Sequence, residues 1–267
     1  MIRDQVEVSI VMITYGHAAS IRSAVESVLN QNVDFSVELI IANDKSPDDT
    51  SRIVEKIIDT HPRGEMIKYF CHETNMGMMP NFVWALNWAK GKYIAICEGD
   101  DSWANPNKLA IQYAFLEENQ DCFIHTHNAK FVDLFSKSTR PFNEFLENGR
   151  FTTKDVILKK WFTPTASFFF RNKIKFEVWN GVNGDLMVLL LCSLRGYVYY
   201  DKRIMSVYNY GSPNSQTVLS SRITLYKKKI KLMQRFNKAS GYRYIHYTSL
   251  IIGKAICAMA YVKLKGA

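Results

Sequence analysis

The chain has 267 residues, 47% hydrophobic and 22% charged, which supplies enough apolar material for a sizeable core and excludes a disordered or fibrous protein. Its 34 Lys and Arg against 25 Asp and Glu give a net charge of +9, so nucleic acid, anionic lipid and anionic small substrates are the partner classes to be told apart. The five cysteines, Cys71, Cys97, Cys122, Cys192 and Cys257, are scattered and form no CxxC pair, which excludes a paired-thiolate metal or redox centre and leaves reduced core thiols as the expectation.

The first residues run straight into the apolar stretch Val8 to Ile13, too short and wrongly flanked for a secretory signal, so a cytoplasmic protein is expected. Val8 to Thr14 has the continuous apolar character of a buried parallel strand. Ser20 to Leu29 follows, with Ile21, Ala24, Val25, Val28 and Leu29 on one helical face. Val37 to Ala42 is the second strand, and Thr50 can cap a helix that buries Ile53, Val54, Ile57 and Ile58. Between them lies the acidic, turn-rich loop Asn43 to Asp49. Met66 to Cys71 is a third strand, Pro80 to Lys90 a helix ended by Gly91, and Tyr93 to Cys97 a fourth strand running into Glu98-Gly99-Asp100-Asp101.

This alternation predicts an α/β fold with a Rossmann-like, mostly parallel central sheet flanked by helices. Ligands of such sheets gather at the carboxyl ends of the strands, so Thr14-Tyr15-Gly16, Asn43-Asp44 and Glu98 to Asp101 are expected to converge.

Asp133 to Arg150 lacks periodicity and is expected to be a mobile connection. After it come a helix near Thr152 to Trp161, a strand at Ala166 to Arg171, a helix opening at Asp185, a strand near Tyr197 to Tyr210 and two C-terminal helices. His125 and His127 alternate on one strand face; they could chelate a metal, but polar outward positions of a half-buried strand explain them at least as well. In Arg222 to Arg235, Ile223, Tyr226, Ile230 and Met233 recur at helical spacing among six basic residues. That describes a basic amphipathic helix, either packed on the core with a solvated face or lying on anionic lipid. No nucleic-acid module accompanies the charge, so nucleic acid is not an expected partner. Ser249 to Val262 is the most apolar tail segment, but it is short and interrupted by Lys254, so an integral span is not expected.

Glu98, Asp100 and Asp101 form a self-repelling carboxylate cluster with no lysine or arginine until Lys108. Such oxygen ligands suit Mg²⁺ or Mn²⁺, which completes its shell with water and substrate phosphates. Four stretches in this order, VSIVMITYGHAASIRSAVESVLNQ, VELIIANDKSPDDTSRIV, NMGMMPNFVWALNWAKGKYIAICEGDDSWANPNKL and NGDLMVLLLCSLRG, resemble the inverting glycosyltransferases of family 2, with the GT-A fold, of the bacterial polysaccharide type. The resemblance covers roughly residues 6 to 215. It implies a catalytic domain over 1–215, with a nucleotide-sugar half at 1–132 and an acceptor half at 151–215, followed by a C-terminal extension of basic amphipathic helices over 216–267.

The resemblance also implies roles. The acidic motif at the end of the fourth strand reads Glu98-Gly99-Asp100 and then Asp101. Asp100 and Asp101 are the expected metal-side groups, for Mn²⁺ or Mg²⁺, and Glu98 and Asp100 also face the donor. Thr14, Tyr15, Asn43 and Asp44 would line base and ribose, Asp44 better placed than Asn43, and a carboxylate there can accept the imide N–H of uracil. Asn75 and Gly77 match the loop before the third helix, where backbone approaches the donor. Asp185 stands where the family's catalytic base does, with Gly184 replacing the usual Glu; Asp185 could also act as a helix N-cap. Lys202 and Arg203, or the segment Tyr208 to Gln216 with Gly211 and Ser212, could close over the donor phosphates. The function implied is transfer of a sugar from a nucleotide diphosphate donor, a UDP-sugar first, to a saccharide or lipid-linked saccharide acceptor with inversion. The location implied is the cytoplasm, with peripheral contact on the anionic inner face of the plasma membrane. A sugar nucleotidyltransferase or a non-catalytic nucleotide-sugar-binding protein are the alternatives.

Overall fold

The computed structural model describes residues 6–159, 161–211 and 221–264. In chain order these form β1 (Val8–Thr14), α1 (Ile21–Leu29), β2 (Val37–Asn43), α2 (Thr50–Thr60), β3 (Ile67–Cys71), α3 (Met78–Trp88), β4 (Tyr93–Ile96), β5 (Ser102–Trp103), α4 (Lys108–Glu118) and β6 (Cys122–Asp133). They continue with β7 (Thr139–Pro141), β8 (Gly149–Phe151), α5 (Thr153–Leu158), β9 (Phe169–Arg171), α6 (Gly184–Ser193), β10 (Tyr197–Tyr210), α7 (Arg222–Ala239) and α8 (Ile245–Leu264). One sheet runs in the order β3-β2-β1-β4-β9-β6-β10-β5, with β7 on β6 and β8 on β10.

The sheet is parallel across β3, β2, β1 and β4, as the alternating βα pattern requires. Its second half is mixed: β9 lies antiparallel between β4 and β6, and β6 and β10 run parallel to each other. β1 is apolar throughout because both of its faces are covered. Ile10 and Met12 belong to the core cluster that holds Val25 of α1 and Val54 of α2, while Val11 belongs to the one that holds Phe82 of α3 and Met187 of α6.

Several expectations are corrected. Asp133 to Arg150 is not a bare connection, since β7 and β8 within it pair with β6 and β10. Gly91 does not cap α3, which ends at Trp88 with Ala89 in the C-cap position; a Cβ at Gly91 would lie 2.6 Å from the Ser9 amide nitrogen, so close approach to β1 is its constraint. Pro80 sits inside the first turn of α3, where its missing N–H costs nothing. Asp49, not Thr50, occupies the N-cap position of α2. Ala166 to Arg171 is a 3-10 turn (Thr165–Ser167) before three strand residues.

His125 and His127 do not face outward: both are fully buried, because β6 is an interior strand. Burial holds both imidazoles neutral, pushing His125 down to about 3 despite Asp201 and lowering His127 well below its ordinary value. Cys97, Cys122 and Cys192 are core thiols, but Cys71 and Cys257 are exposed.

The C-terminal helices share the main core, since Leu232, Met233 and Phe236 of α7 and Ile251 of α8 join the cluster built by α3 and α6. Of the apolar face read for α7, only Met233 is buried, because only the second half of the helix packs on the core. α8 begins four residues before Ser249, and its stretch Ile245–Val262 is long and apolar enough to cross a membrane by length and composition, with 17% of it buried. The tail segment from Ser212 to Gln216 and the boundary at 215/216 lie outside the described residues.

Candidate active site

The carboxyl ends of β1, β2 and β4 open on one cleft of about 480 Å³, closed on the far side by the start of α6, the end of β10 and α7. Thr14, Tyr15, Asp44, Asn75, Gly77, Glu98, Asp100, Asp101 and Asp185 all line it. The glycine of the acidic motif makes the convergence possible. A Cβ at Gly99 would stand 2.8 Å from both Thr14 Oγ1 and His17 Nδ1, and the Gly99 N–H donates to the Ile13 carbonyl at 3.0 Å. The acidic turn therefore presses directly on the end of β1.

Asp44 is 3% exposed, and its two oxygens accept the backbone N–H groups of Met76 (2.7 Å) and Gly77 (2.9 Å). Gly77 has φ +89, a backbone that a side chain resists, and starts α3 at the cleft wall. Asp44 thus ties the loop before α3 to the sheet. A carboxylate offers about four acceptor positions, so capacity for a ligand remains. Asn43 departs from the expectation and does not line the cleft. Its amide donates to Ser51 (3.0 Å) and Tyr69 (2.9 Å) and accepts from Ser46, fixing the loop that follows β2.

The acidic motif is braced from β10. The Asn209 N–H donates to Asp101 Oδ1 at 3.1 Å, and the Asn209 amide donates to the Asp100 carbonyl at 2.7 Å. Asp101 Oδ2 is buried with no hydrogen-bond partner. Burial, then the charges of Asp100 and Glu98, pushes Asp101 well above the ordinary carboxylate range. Burial, then Asp100 and Asp185, raises Glu98 to about 8, against a hydrogen bond from Thr165. These acids repel one another across one space. Among the described residues no three His, Cys, Asp or Glu side chains converge on a single point.

Asp185 is the second residue of α6; the N-cap position belongs to Asn183, so the capping role does not apply. Its Oδ1 accepts the Leu186 N–H at 2.7 Å, and burial raises its pKa, opposed by that bond and by Lys228. Gly184 packs against α3, where a Cβ would lie 2.9 Å from Met79 Sδ and Phe82 Cδ1. There is no room for a glutamate at that position.

The sequence reading missed Lys228, Trp161 and Thr165, which also line the cleft, as does Tyr208, the first residue of the segment expected near the donor phosphates. Lys228 was grouped with Lys227 and Lys229, but it lies on the same helical face as Leu232 and Phe236, four and eight residues on, and that spacing was the available signal. Trp161 and Tyr208 form an aromatic wall with ring centroids 5.4 Å apart. Lys202 and Arg203 do not reach the cleft; they pair with Glu147 and Asp201.

Residues 9–179 match the model of glycosyl transferase family 2. An uncharacterized protein of Mycobacterium tuberculosis is 31% identical over 169 residues, 63% of this chain and 48% of that protein, so the chain spans about half the length of that relative. The UDP-Glc:alpha-D-GlcNAc-diphosphoundecaprenol beta-1,3-glucosyltransferase WfgD of Escherichia coli is 28% identical over 188 residues, 68% of this chain and 72% of that protein. Among solved structures, S. aureus TarS 1-349 in complex with UDP superposes with a TM-score of 0.68 at 19% identity, covering 94% of this chain and 70% of that one. The mannosyltransferase PcManGT of Pyrobaculum calidifontis, in complex with GDP-Man and Mn²⁺, gives 0.63 at 14% identity over 98% and 76%. The family match spans well over half of the sequence and the architecture is that of the GT-A enzymes: the chain belongs to glycosyl transferase family 2.

Proposed function

We propose that the chain transfers a sugar from a UDP-sugar to a hydroxyl of a saccharide or lipid-linked saccharide with inversion, in bacterial cell-surface polysaccharide synthesis at the cytoplasmic face of the membrane. The observation that carries the reading is that Asp44, Asp100, Asp101 and Asp185, brought from three separate segments, line one cleft. The UDP bound by S. aureus TarS and the UDP-Glc and diphosphoundecaprenol substrates in the name of the Escherichia coli relative support the donor and acceptor classes.

In this reading Asp44 holds the loop of Asn75 and Gly77 and presents its remaining acceptor capacity, with Thr14 and Tyr15, to the base and ribose. Asp185 takes the proton of the acceptor hydroxyl as that oxygen attacks the anomeric carbon from the face opposite the departing diphosphate. A single displacement inverts the centre. Lys228 adds a positive charge to the same space and favours the negative charge that accumulates on the leaving group.

A divalent cation, Mn²⁺ or Mg²⁺, suits the residues present. Asp101 Oδ2 is buried without a partner and the neighbouring acids repel one another, which is the electrostatic setting that a cation relieves. Asp100 and Asp101 would hold it, with water and donor phosphates filling the remaining positions. When bound, it supplies neutralising charge to the diphosphate. The reading is tested by incubating the protein with Mn²⁺, a panel of nucleotide sugars and a saccharide-diphospholipid acceptor, and following released nucleoside diphosphate and the product's anomeric configuration. Release from one UDP-sugar with an inverted product is expected. No release from any donor, or a retained configuration, would defeat it.

A further inference from the structure

Charge is divided unevenly along this chain. Residues 202–267 contain thirteen Lys and Arg and no Asp or Glu, whereas residues 1–201 contain 21 basic against 25 acidic residues. The helical hairpin of α7 and α8 carries most of that surplus. α8 buries Thr248, Ile251 and Ala255, and turns Leu250, Ile256 and Leu264 outward, 49%, 51% and 87% exposed. Along about 30 Å of helix, the length of twenty residues, Lys254 and Lys263 are its only charges.

The turn between the two helices has unusual backbone. Gly241 and Tyr242 are both left-handed, with φ of 59° and 61°. That conformation is unfavourable for a tyrosine, and here it displays a ring that is 59% exposed, next to Ile245 at 41%. Behind the turn lies a second cavity, of about 290 Å³, with an apolar floor of Ile174, Leu191 and Leu194 and with Arg195, Ser240 and Arg243 at its rim. Among the described residues neither guanidinium makes a hydrogen bond or an ion pair. Two unmatched guanidinium groups beside an apolar floor suit a ligand that is anionic at one end and apolar at the other.

We propose that this cavity seats the phosphate of an anionic phospholipid in a bilayer surface, between Arg195 and Arg243. Tyr242 and Ile245 then sit at the headgroup boundary, and the outward face of α8 lies in the plane of the interface. A free phosphate ion would draw nothing from Ile174, Leu191 and Leu194. A second copy of the chain would bring the same positive surplus against this one, which like-charge repulsion opposes. The proposal deepens the membrane part of the functional reading and is independent of the sugar chemistry, so binding alone tests it.

The full-length protein is floated with vesicles of phosphatidylcholine, and with vesicles of equal parts phosphatidylcholine and phosphatidylglycerol. Binding to the second kind only, weakened by salt, is expected. Each basic residue near an anionic surface is worth about fivefold in partitioning, so R195Q/R243Q lowers binding about twenty-five-fold. The control K56Q/K68Q, on exposed positions of α2 and β3, removes the same charge and leaves binding within about twofold. Both pairs are exposed, and unchanged thermal melting shows that they fold. Equal loss in both double variants overturns the site, because charge alone would then suffice. So does calorimetric binding of inorganic phosphate without vesicle association, or a concentration-dependent dimer that Ile256→Glu dissolves.

Discussion

Asp185→Asn separates chemistry from architecture at the cleft. The asparagine Oδ1 can still accept the Leu186 N–H that Asp185 accepts at 2.7 Å, so the start of α6 keeps its geometry and folding stability changes by no more than about 1 kcal/mol. What disappears is a carboxylate able to take a proton. Loss of a positioned general base costs about a hundredfold to ten-thousandfold in kcat, or roughly 3 to 5 kcal/mol of barrier. Donor affinity, set on the opposite wall by Asp44 and the acidic motif, should stay within about threefold. Burial raises the Asp185 pKa, and the base acts when ionised, so wild-type kcat/KM should fall as pH is lowered through a value above the ordinary carboxylate range. That inflection should be absent from the variant. The assay is steady-state release of nucleoside diphosphate with acceptor present, run across pH, beside calorimetric donor binding. Near-normal kcat, or a loss of donor affinity as large as the loss of turnover, would refute the assignment.

Lys228→Met should lower kcat/KM about tenfold to a hundredfold, the scale of one hydrogen bond to a charged group, while K227Q leaves it unchanged; equal effects would mean that Lys228 acts as bulk charge. Gly99→Ala places a Cβ 2.8 Å from Thr14 Oγ1 and His17 Nδ1, so denaturant unfolding should show a loss of about 1 to 3 kcal/mol together with weaker nucleotide binding. A fully stable, active G99A would show that the acidic turn has room to spare. Gly184→Glu restores the residue usual in the family but drives a side chain at Met79 and Phe82, and its thermal unfolding should fall by a similar energy with no gain in activity.

The parallel half of the fold was legible because β1, β2 and β4 are buried on both faces and read as continuous apolar runs, with helices of clear period between them. The second half was less so. β7 and β8 are three residues each, too short for a period to register, and they are specified by pairing with distant strands, while β9 is only the last half of the strand expected over Ala166 to Arg171. His125 and His127 read as outward positions because alternation alone does not reveal that β6 has a strand on either side. At the site, strand-end logic pointed to Asp44 and Asp100, since each follows a strand, while Asp185 came from the family resemblance; all three line the cleft. Strand-end logic also credited Asn43 with contact it does not make, because adjacent residues at a strand end point opposite ways and only one faces the cleft. Lys228 and Trp161 arrive from segments whose approach to the cleft is set by tertiary packing.

The central claim is that Asp100 and Asp101 hold a divalent cation and, with it, the donor diphosphate. Calorimetric titration of UDP into the wild-type protein and into D100A/D101N, with Mn²⁺ and with a chelator, measures this directly. Binding that requires Mn²⁺ and vanishes in a double variant that still melts cooperatively is the expected result. UDP binding that is equally tight without the metal, or intact in the double variant, would contradict the account.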